Sequence, residues 1–270
     1  MHTIDLKNKG YRTDLVIDEI TREKDTKLSS KILEKTKNVT VEEVIIDEKT
    51  NCNKKKGIYE TISFTDITDK NNFKEVEELA IKTLKNMLNK LNISSNAKIL
   101  VVGLGNASST PDALGPKTLD HVLVTRHLFL LGDVEEGYRN VASFKPSVTG
   151  VTGIETKDLI EGIKEKIKPD ILIVIDALAS SSIERLNKTI QITSAGISPG
   201  SGVGNNRLEI SQDTLHIPVI AIGVPTVVDG ATIVENTLQL LLKKISYGLE
   251  NKENEKLKLV PITLSLIHIW

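Results

Sequence analysis

Residues Ala97–Pro116, with the sequence AKILVVGLGNASSTPDALGP, establish the architecture of this chain. Their apolar run Ile99–Val102 has the length and composition of a strand buried on both faces of a parallel sheet. Glycines end the run, and a polar loop then carries Asp112 to the start of a helical pattern. The chain repeats this design at Ile171–Ile175, which Asp176 follows directly. Because ligands of open α/β sheets bind at the carboxyl ends of the strands, we expect Asp112 and Asp176 to meet at one site.

Strand and helix patterns alternate through the rest of the chain. This alternation predicts a single α/β domain with three αβα layers and a mostly parallel sheet, to which a small β-hairpin is appended. The predicted elements are hairpin strands at Val39–Asp47 and Gly57–Phe64, helices at Phe73–Leu91 (capped by Asn72), Lys117–Leu131, Thr156–Lys168 and Ala231–Leu249, an irregular segment at Gly132–Thr152, an edge or antiparallel strand within Leu186–Thr193 and a buried strand at Ile217–Val224.

Composition excludes several classes of protein. The 270 residues are 39% hydrophobic, which is enough for a sizeable core, and the net charge of −1 argues against a nucleic-acid surface or a polybasic membrane patch. No apolar run has the length of a membrane span, and the residues after Met1 lack the pattern of a secretory signal. Cys52 is the only cysteine, so no internal disulfide or thiolate cluster can form. These features predict a reduced, cytoplasmic, globular protein.

The carboxylate pair is the main candidate for chemistry. Two acids a few ångströms apart share a proton, so one can activate a water while the other donates to a carbonyl oxygen. From spacing alone, structural roles are the more common ones, with Asp176 capping a helix and Asp112 shaping a turn. The context favours chemistry, because both acids follow buried strands and lie among small residues that leave room for a substrate backbone.

The glycine-rich segments have simpler interpretations. Gly103-Leu104-Gly105 lacks the third glycine of a dinucleotide site, which argues against a Rossmann cofactor site. The loop within Ile197–Arg207 lacks the Gly-Lys-Ser/Thr ending of a phosphate loop. We interpret it as a flexible loop or, beside the carboxylates, as a contact for a peptide backbone. Glu155 lies three residues after Thr152, which predicts a helix capping box.

Two other chemistries remain open on the residues alone. A metal site would need His121 or His127 to fold back towards the acids, and these histidines do not share an i, i+4 helix face. A nucleophile among Ser180–Ser182 would lack a paired histidine as its base. We therefore predict no metal and no cofactor.

Six longer segments together resemble the spore germination proteases of endospore-forming bacteria, over about residues 10–250. They are YRTDLVID (11–18), VVGLGNASSTPDALGP (101–116), VTGIETKDLI (151–160), PDILIVIDALAS (169–180), GISPGSGVGNNR (196–207) and IPVIAIGVPTVVDGATIVE (217–235). The resemblance implies an atypical aspartic endopeptidase with a phosphorylase/hydrolase-like α/β fold, related to hydrogenase-maturation proteases. It also implies a homotetramer in the forespore or spore core, where the substrates would be small acid-soluble spore proteins that coat DNA.

The resemblance assigns roles to individual residues. Asp112 and Asp176 match the catalytic aspartates of the family. Members cleave themselves within a segment that here is Arg12-Thr13-Asp14-Leu15, which implies a cut between Asp14 and Leu15 and a propeptide of residues 1–14. The cut resembles the substrate sites, in which an acid precedes an apolar residue. The expected substrate-binding residues are Gly105, Asn106, Thr110, Gly153, Gly200, Ser201 and Gly202.

The implied organisation is a protease domain at residues 15–250 with a β insertion near 39–64. Residues 251–270 are expected to be a shortened or non-native tail. Two alternatives stay open: a nickel-dependent maturation-type protease, and a truncated, catalytically silent zymogen. If Asp14 lies near the pair, a third negative charge is expected to raise the pKa of the pair and to couple activation to pH.

Overall fold

The structure is a computed structural model that describes residues 12–22, 28–50, 52–132, 134–204, 207–230, 232–234, 236–238 and 240–242. Most of the expected propeptide and the whole tail 251–270 lie outside these residues. Within the helix predicted at 231–249, those residues that the structure describes are helical. The elements are α1 (Val16–Arg22), β1 (Lys31–Lys35), β2 (Val39–Ile46), β3 (Gly57–Phe64), α2 (Lys70–Lys90), β4 (Ile99–Leu104), α3 (Leu114–Leu119), α4 (Arg126–Leu131), β5 (Val141–Ser147), α5 (Thr149–Thr152), α6 (Thr156–Ile167), β6 (Ile171–Ser180), β7 (Thr189–Thr193), α7 (Gln212–Leu215) and β8 (Val219–Val228).

The fold is α/β and is built on one mixed sheet of eight strands in the order β1-β2-β3-β7-β8-β6-β4-β5. Strands β8, β6, β4 and β5 pair in parallel, whereas every other neighbouring pair is antiparallel. The expectation of a mostly parallel sheet is therefore right only for the half that carries the two acids. The predicted antiparallel strand within Leu186–Thr193 is found as β7, and it lies inside the sheet between β3 and β8.

Helices cover both faces of the sheet. Ile99 and Val101 of β4 point into a core shared with α2, whereas Leu100 and Val102 point into a second core that includes Ile160 of α6. This alternation follows from the strand period of two, and it explains why β4 is apolar at every position. Each such side chain stabilises the fold by about 1.5–3 kcal/mol when it is fully buried. The arrangement is compatible with the three-layer architecture that the sequence predicts.

Three local predictions are wrong, and side-chain hydrogen bonds account for the split of one helix and for the cap of another. The helix predicted at Lys117–Leu131 is split into α3 and α4, since Thr125 bonds through its backbone and side chain to Arg139 and Val141 at the start of β5. The segment predicted to be irregular thus contains strand β5. Helix α2 is capped by Asp69, whose carboxylate accepts the next N–H groups of the helix, rather than by Asn72.

Within the described residues, no helix combines the length and the apolar composition needed to cross a membrane.

Candidate active site

Asp112 and Asp176 line one cavity of about 380 Å³. Asp112 is the last residue of a short 3-10 helix, Thr110–Asp112, that follows β4. Asp176 lies within β6 rather than beyond its end, because this strand continues to Ser180. The ladder between β4 and β6 stops at Gly103↔Ile175, so Asp176 is the first β6 residue past that pairing. The two acids therefore meet where the parallel ladder opens, as the sequence pattern indicates.

Backbone contacts fix the loop that holds Asp112. The Asn106 N–H donates to Asp112 Oδ2 at 2.8 Å, and Thr226 Oγ1 donates to the Pro111 carbonyl at 2.6 Å. Gly105 has φ +106°, and a Cβ on it would overlap the backbone carbonyl of Asp112. Only glycine fits both the backbone conformation and the space at this position. The carboxyl group of Asp112 is therefore held in place without a side-chain partner being needed.

Burial and mutual repulsion dominate the electrostatics of the pair. Asp176 is 5% exposed. Burial raises its pKa well above the usual value, and the charges of Asp112 and Asp14 raise it further. The Ala177 N–H donates to Asp176 Oδ1 at 2.9 Å and opposes this rise. Burial also raises the pKa of Asp112, and the Asn106 N–H opposes it. Two neighbouring carboxyl groups with raised pKa values favour a state in which one is neutral and the other charged.

Asp14 of the N-terminal segment lines the same cavity. The Asp14 N–H donates to the Ala179 carbonyl at 2.9 Å, while the Ala179 N–H and Ser201 Oγ donate to the Asp14 carboxylate at 2.8 and 2.7 Å. Gln191 bonds to the backbone on both sides of Leu15, since its Nε2 donates to the Asp14 carbonyl at 3.2 Å and its Oε1 accepts the Val16 N–H at 2.8 Å. Asp14, in the segment that resembles a self-cleavage site, thus lines the cavity that Asp112 and Asp176 also line.

Asp18 anchors the start of α1. It is 2% exposed and accepts hydrogen bonds from Thr13 Oγ1 at 2.6 Å, Ser180 Oγ at 3.0 Å and the Ser181 N–H at 2.9 Å. The Arg185 guanidinium lies 2.8 Å from its other oxygen. The Ser180 hydroxyl, a candidate nucleophile in the sequence, therefore donates to a buried carboxylate and has a structural role. No pattern in the sequence singles out Asp18.

The other expected site residues are only partly brought together. Gly105 and Gly200 line the cavity, Asn106 holds Asp112, and Ser201 and Gly202 lie against Asp14. Thr110 and Gly153 are not among the described residues that line the cavity. Thr110 begins the 3-10 turn, and Gly153 follows the last residue of α5. Neither His121 nor His127, which a metal site would need, is among these lining residues.

Two charged residues line the cavity without having been predicted to do so: Arg207 had no predicted role, and Glu155 was predicted to cap a helix. Glu155 precedes α6 and makes no capping bond there; its carboxylate instead pairs with Arg207 at 3.2 Å, so the predicted capping box is wrong. Both residues line the cavity. The pairing joins segments about fifty residues apart, and sequence spacing carries no signal for it.

Comparison with known proteins shows the family to which this chain belongs. The family profile for germination proteases matches residues 12–268 of this chain. The chain is 46% identical over 266 residues to germination proteases of Bacillus cytotoxicus and Bacillus mycoides, and 45% identical over 269 residues to that of Priestia megaterium. Each alignment covers 94% of this chain and 72% of the relative. On this sequence identity and profile match, the chain belongs to the germination protease family.

Proposed function

We propose that Asp112 and Asp176 are the catalytic pair with which this germination protease hydrolyses peptide bonds. The observation that carries the proposal is their shared cavity, in which a nearly buried carboxyl group faces a half-buried one. Burial and the neighbouring charge raise the pKa of Asp176 more than burial alone raises that of Asp112. Asp176 therefore holds the proton of the pair more readily, and Asp112 is the member that ionises first.

The chemistry follows from this difference. Asp112 removes a proton from a water molecule as the water oxygen bonds to the scissile carbonyl carbon, and Asp176 gives its proton to the carbonyl oxygen. The tetrahedral intermediate then breaks at its C–N bond. Asp112 gives the proton that it took from water to the amide nitrogen, which leaves as an amine, and Asp176 takes a proton from one hydroxyl of the intermediate, which becomes a carboxylic acid. The pair thereby returns to its starting protonation state.

The same pair is proposed to remove residues 1–14 from the chain. The support is the position of Asp14 in the cavity and the burial of the residue after it, since Leu15 is 0% exposed. The carboxylate of Asp14 also acts on Asp176 as the expected third charge. The protease domain would then comprise residues 15–250, and the residues beyond it a tail.

Small acid-soluble spore proteins in the spore core are the proposed substrates, and a phosphorylase/hydrolase-like fold is the proposed class. These proposals rest on the membership of the family. A homotetramer is proposed as the working assembly. Its support within this chain is the apolar surface around α4, where Leu123, Leu130 and Leu131 are 67%, 71% and 78% exposed.

The test compares Asp112→Asn and Asp176→Asn with Asp120→Asn, a surface control just after α3. Purified chains are incubated with an acidic spore protein, and fragments and the loss of residues 1–14 are followed by mass spectrometry. We expect both activities to fall at least a hundredfold in the two variants, as for the loss of a general acid or base, and to persist in the control. Discrete cleavage at the normal rate in either variant would refute the catalytic pair.

A further inference from the structure

One hydroxyl group links the backbone nitrogen of Leu15 to the carboxylate of Asp18. The Leu15 N–H donates to Thr13 Oγ1 at 3.1 Å, and the same hydroxyl donates to Asp18 Oδ2 at 2.6 Å. All three residues are buried. Because Thr13 lies on the other side of the Asp14–Leu15 bond, cleavage of that bond would take this hydroxyl away with the N-terminal segment.

Cleavage would also remove donors from two buried acceptors. Asp18 Oδ2 would lose Thr13 Oγ1, and the Ala179 carbonyl would lose the Asp14 N–H that donates to it at 2.9 Å. The two acceptors lie close together, since Thr13 Oγ1 is 2.6 Å from the first and 3.4 Å from the second. A buried polar atom without a partner destabilises the fold, so both acceptors favour any donor that can reach them.

Hydrolysis creates such a donor at the same place. Water adds across the C–N bond, and its hydroxyl goes to the Asp14 carbonyl carbon while a hydrogen goes to the Leu15 nitrogen. The new carboxylic acid releases a proton that the amine takes up, so that Leu15 begins with an ammonium group. One N–H thus becomes three, which is enough for both acceptors, and the group gains a positive charge that strengthens a hydrogen bond to a carboxylate.

Contacts that survive the cut hold the Leu15 nitrogen in place. The residue is 0% exposed, and its side chain packs in a cluster with Leu178 of β6. The next residue, Val16, is also 0% exposed and donates its N–H to Gln191 Oε1 at 2.8 Å. None of these contacts involves residues 1–14. The nitrogen is therefore expected to stay beside Asp18 when the N-terminal segment leaves.

We propose that Asp18 forms a binding site for the ammonium group that cleavage creates on Leu15, with the Ala179 carbonyl as the second acceptor. The inference rests on the proposed function, because it takes the bond before Leu15 to be the one that is cut. The ammonium takes the place of Thr13 Oγ1 at Oδ2, while Arg185 stays 2.8 Å from Oδ1. The site holds the start of α1 on β6 after the N-terminal segment has gone.

The test measures how fast an acylating reagent labels the Leu15 amine after the full chain has lost residues 1–14. Only neutral amines react, and a free α-amino group has a pKa of about 7.7–8.0. A carboxylate partner should raise this pKa by at least about one unit, which lowers the labelling rate at pH 7 about tenfold. Mass spectrometry of the digested product gives the rate, with the exposed Lys85 of α2 as the internal standard.

The variants compare Asp18→Asn with Asp158→Asn, since each replaces the third residue of a helix. Asp158 is exposed on α6 and serves as the matched control. In Asp18→Asn, the Leu15 amine should react at least about tenfold faster at pH 7 than in the unchanged product, because the carboxylate that stabilises its charged form is gone. The control should match the unchanged product. Equal rates in Asp18→Asn and in the unchanged product would overturn the proposal.

Other outcomes separate this site from the proposed function. If Asp112→Asn still loses residues 1–14, the catalytic pair is refuted, and labelling of that product still tests the site. If cleavage needs Asp112 but the Leu15 amine of the unchanged product titrates at about 7.7–8.0, the site is refuted and the pair stands. A cut at another bond creates no amine at Leu15 and also refutes the site. The titration of the unchanged product decides the question if Asp18→Asn does not fold.

Discussion

The charge of Asp14 should set the pH range in which the chain cleaves itself. Asp14 contributes to the raised pKa of Asp176, after burial and after Asp112. Replacing it by asparagine keeps the shape of the side chain and removes the charge. The pKa of Asp176 then falls, so the neutral form that donates the proton is lost at a lower pH. We therefore expect the alkaline limb of the pH–rate profile to move to lower pH in Asp14→Asn.

The size of the effect follows from the register of the segment on β6. Asp14 is bonded to Ala179, three residues beyond Asp176, which at about 3.3 Å per residue separates the two carboxyl groups by about 10 Å. At an effective dielectric constant of about 20, two unit charges at that distance interact by about 1.7 kcal/mol. Asp14 is half-exposed, and salt at physiological strength roughly halves the interaction. The midpoint should therefore move by about half a pH unit, since about 1.36 kcal/mol corresponds to one unit.

The assay follows the loss of residues 1–14 by intact mass across the pH range, with each profile normalised to its own maximum. Normalisation separates the shift in midpoint from any change in the maximal rate. Glu77→Gln removes the same charge from an exposed position on α2 and serves as the control. Low ionic strength should enlarge the shift. A midpoint that is unchanged in Asp14→Asn, or one that moves to higher pH, would rule out this coupling between Asp14 and Asp176.

Two further predictions concern stability. A carboxyl group whose pKa is raised in the folded state contributes stability at low pH, and this stability is lost as the pH rises through the folded pKa. Asp176→Asn should therefore increase the free energy of unfolding at neutral pH and not at acidic pH. Urea unfolding at both pH values measures this change, and an equal gain at both would contradict the prediction. Asp18→Ala leaves the Arg185 guanidinium without its buried partner and should lower the free energy of unfolding by about 3 kcal/mol in the same assay. Asp18→Asn should lower it less. A decrease below about 1 kcal/mol in Asp18→Ala would show that this ion pair is not important for stability.

Local patterns in the sequence predicted the half of the sheet that carries the acids. Buried parallel strands need apolar residues at every position, and this requirement makes β4 and β6 recognisable in the amino-acid sequence. The same rule places the residues after such strands at one edge, which brought Asp112 and Asp176 together in the prediction. Their shared cavity agrees with it, while their catalytic role stays a prediction.

Long-range pairing could not be predicted from local patterns. The position of β7 between β3 and β8 depends on which strands meet across the sheet, and its alternating residues suit an edge or an interior position equally. Strand β5 lies in a segment rich in Gly, Ser and Pro and has no strong apolar run by which it could be recognised. It forms a strand because it pairs with β4.

The amino-acid sequence alone was enough to identify two buried strands, the pair of acids Asp112 and Asp176 and the family that the chain resembles. The folded chain was needed to show that the Asp14 carboxylate lies on Ala179 and Ser201, and that Asp18 is buried against Arg185. This division arises because hydrophobic periodicity is a local property of the chain. A hydrogen bond between residues more than 150 positions apart exists only once the sheet has brought their backbones together.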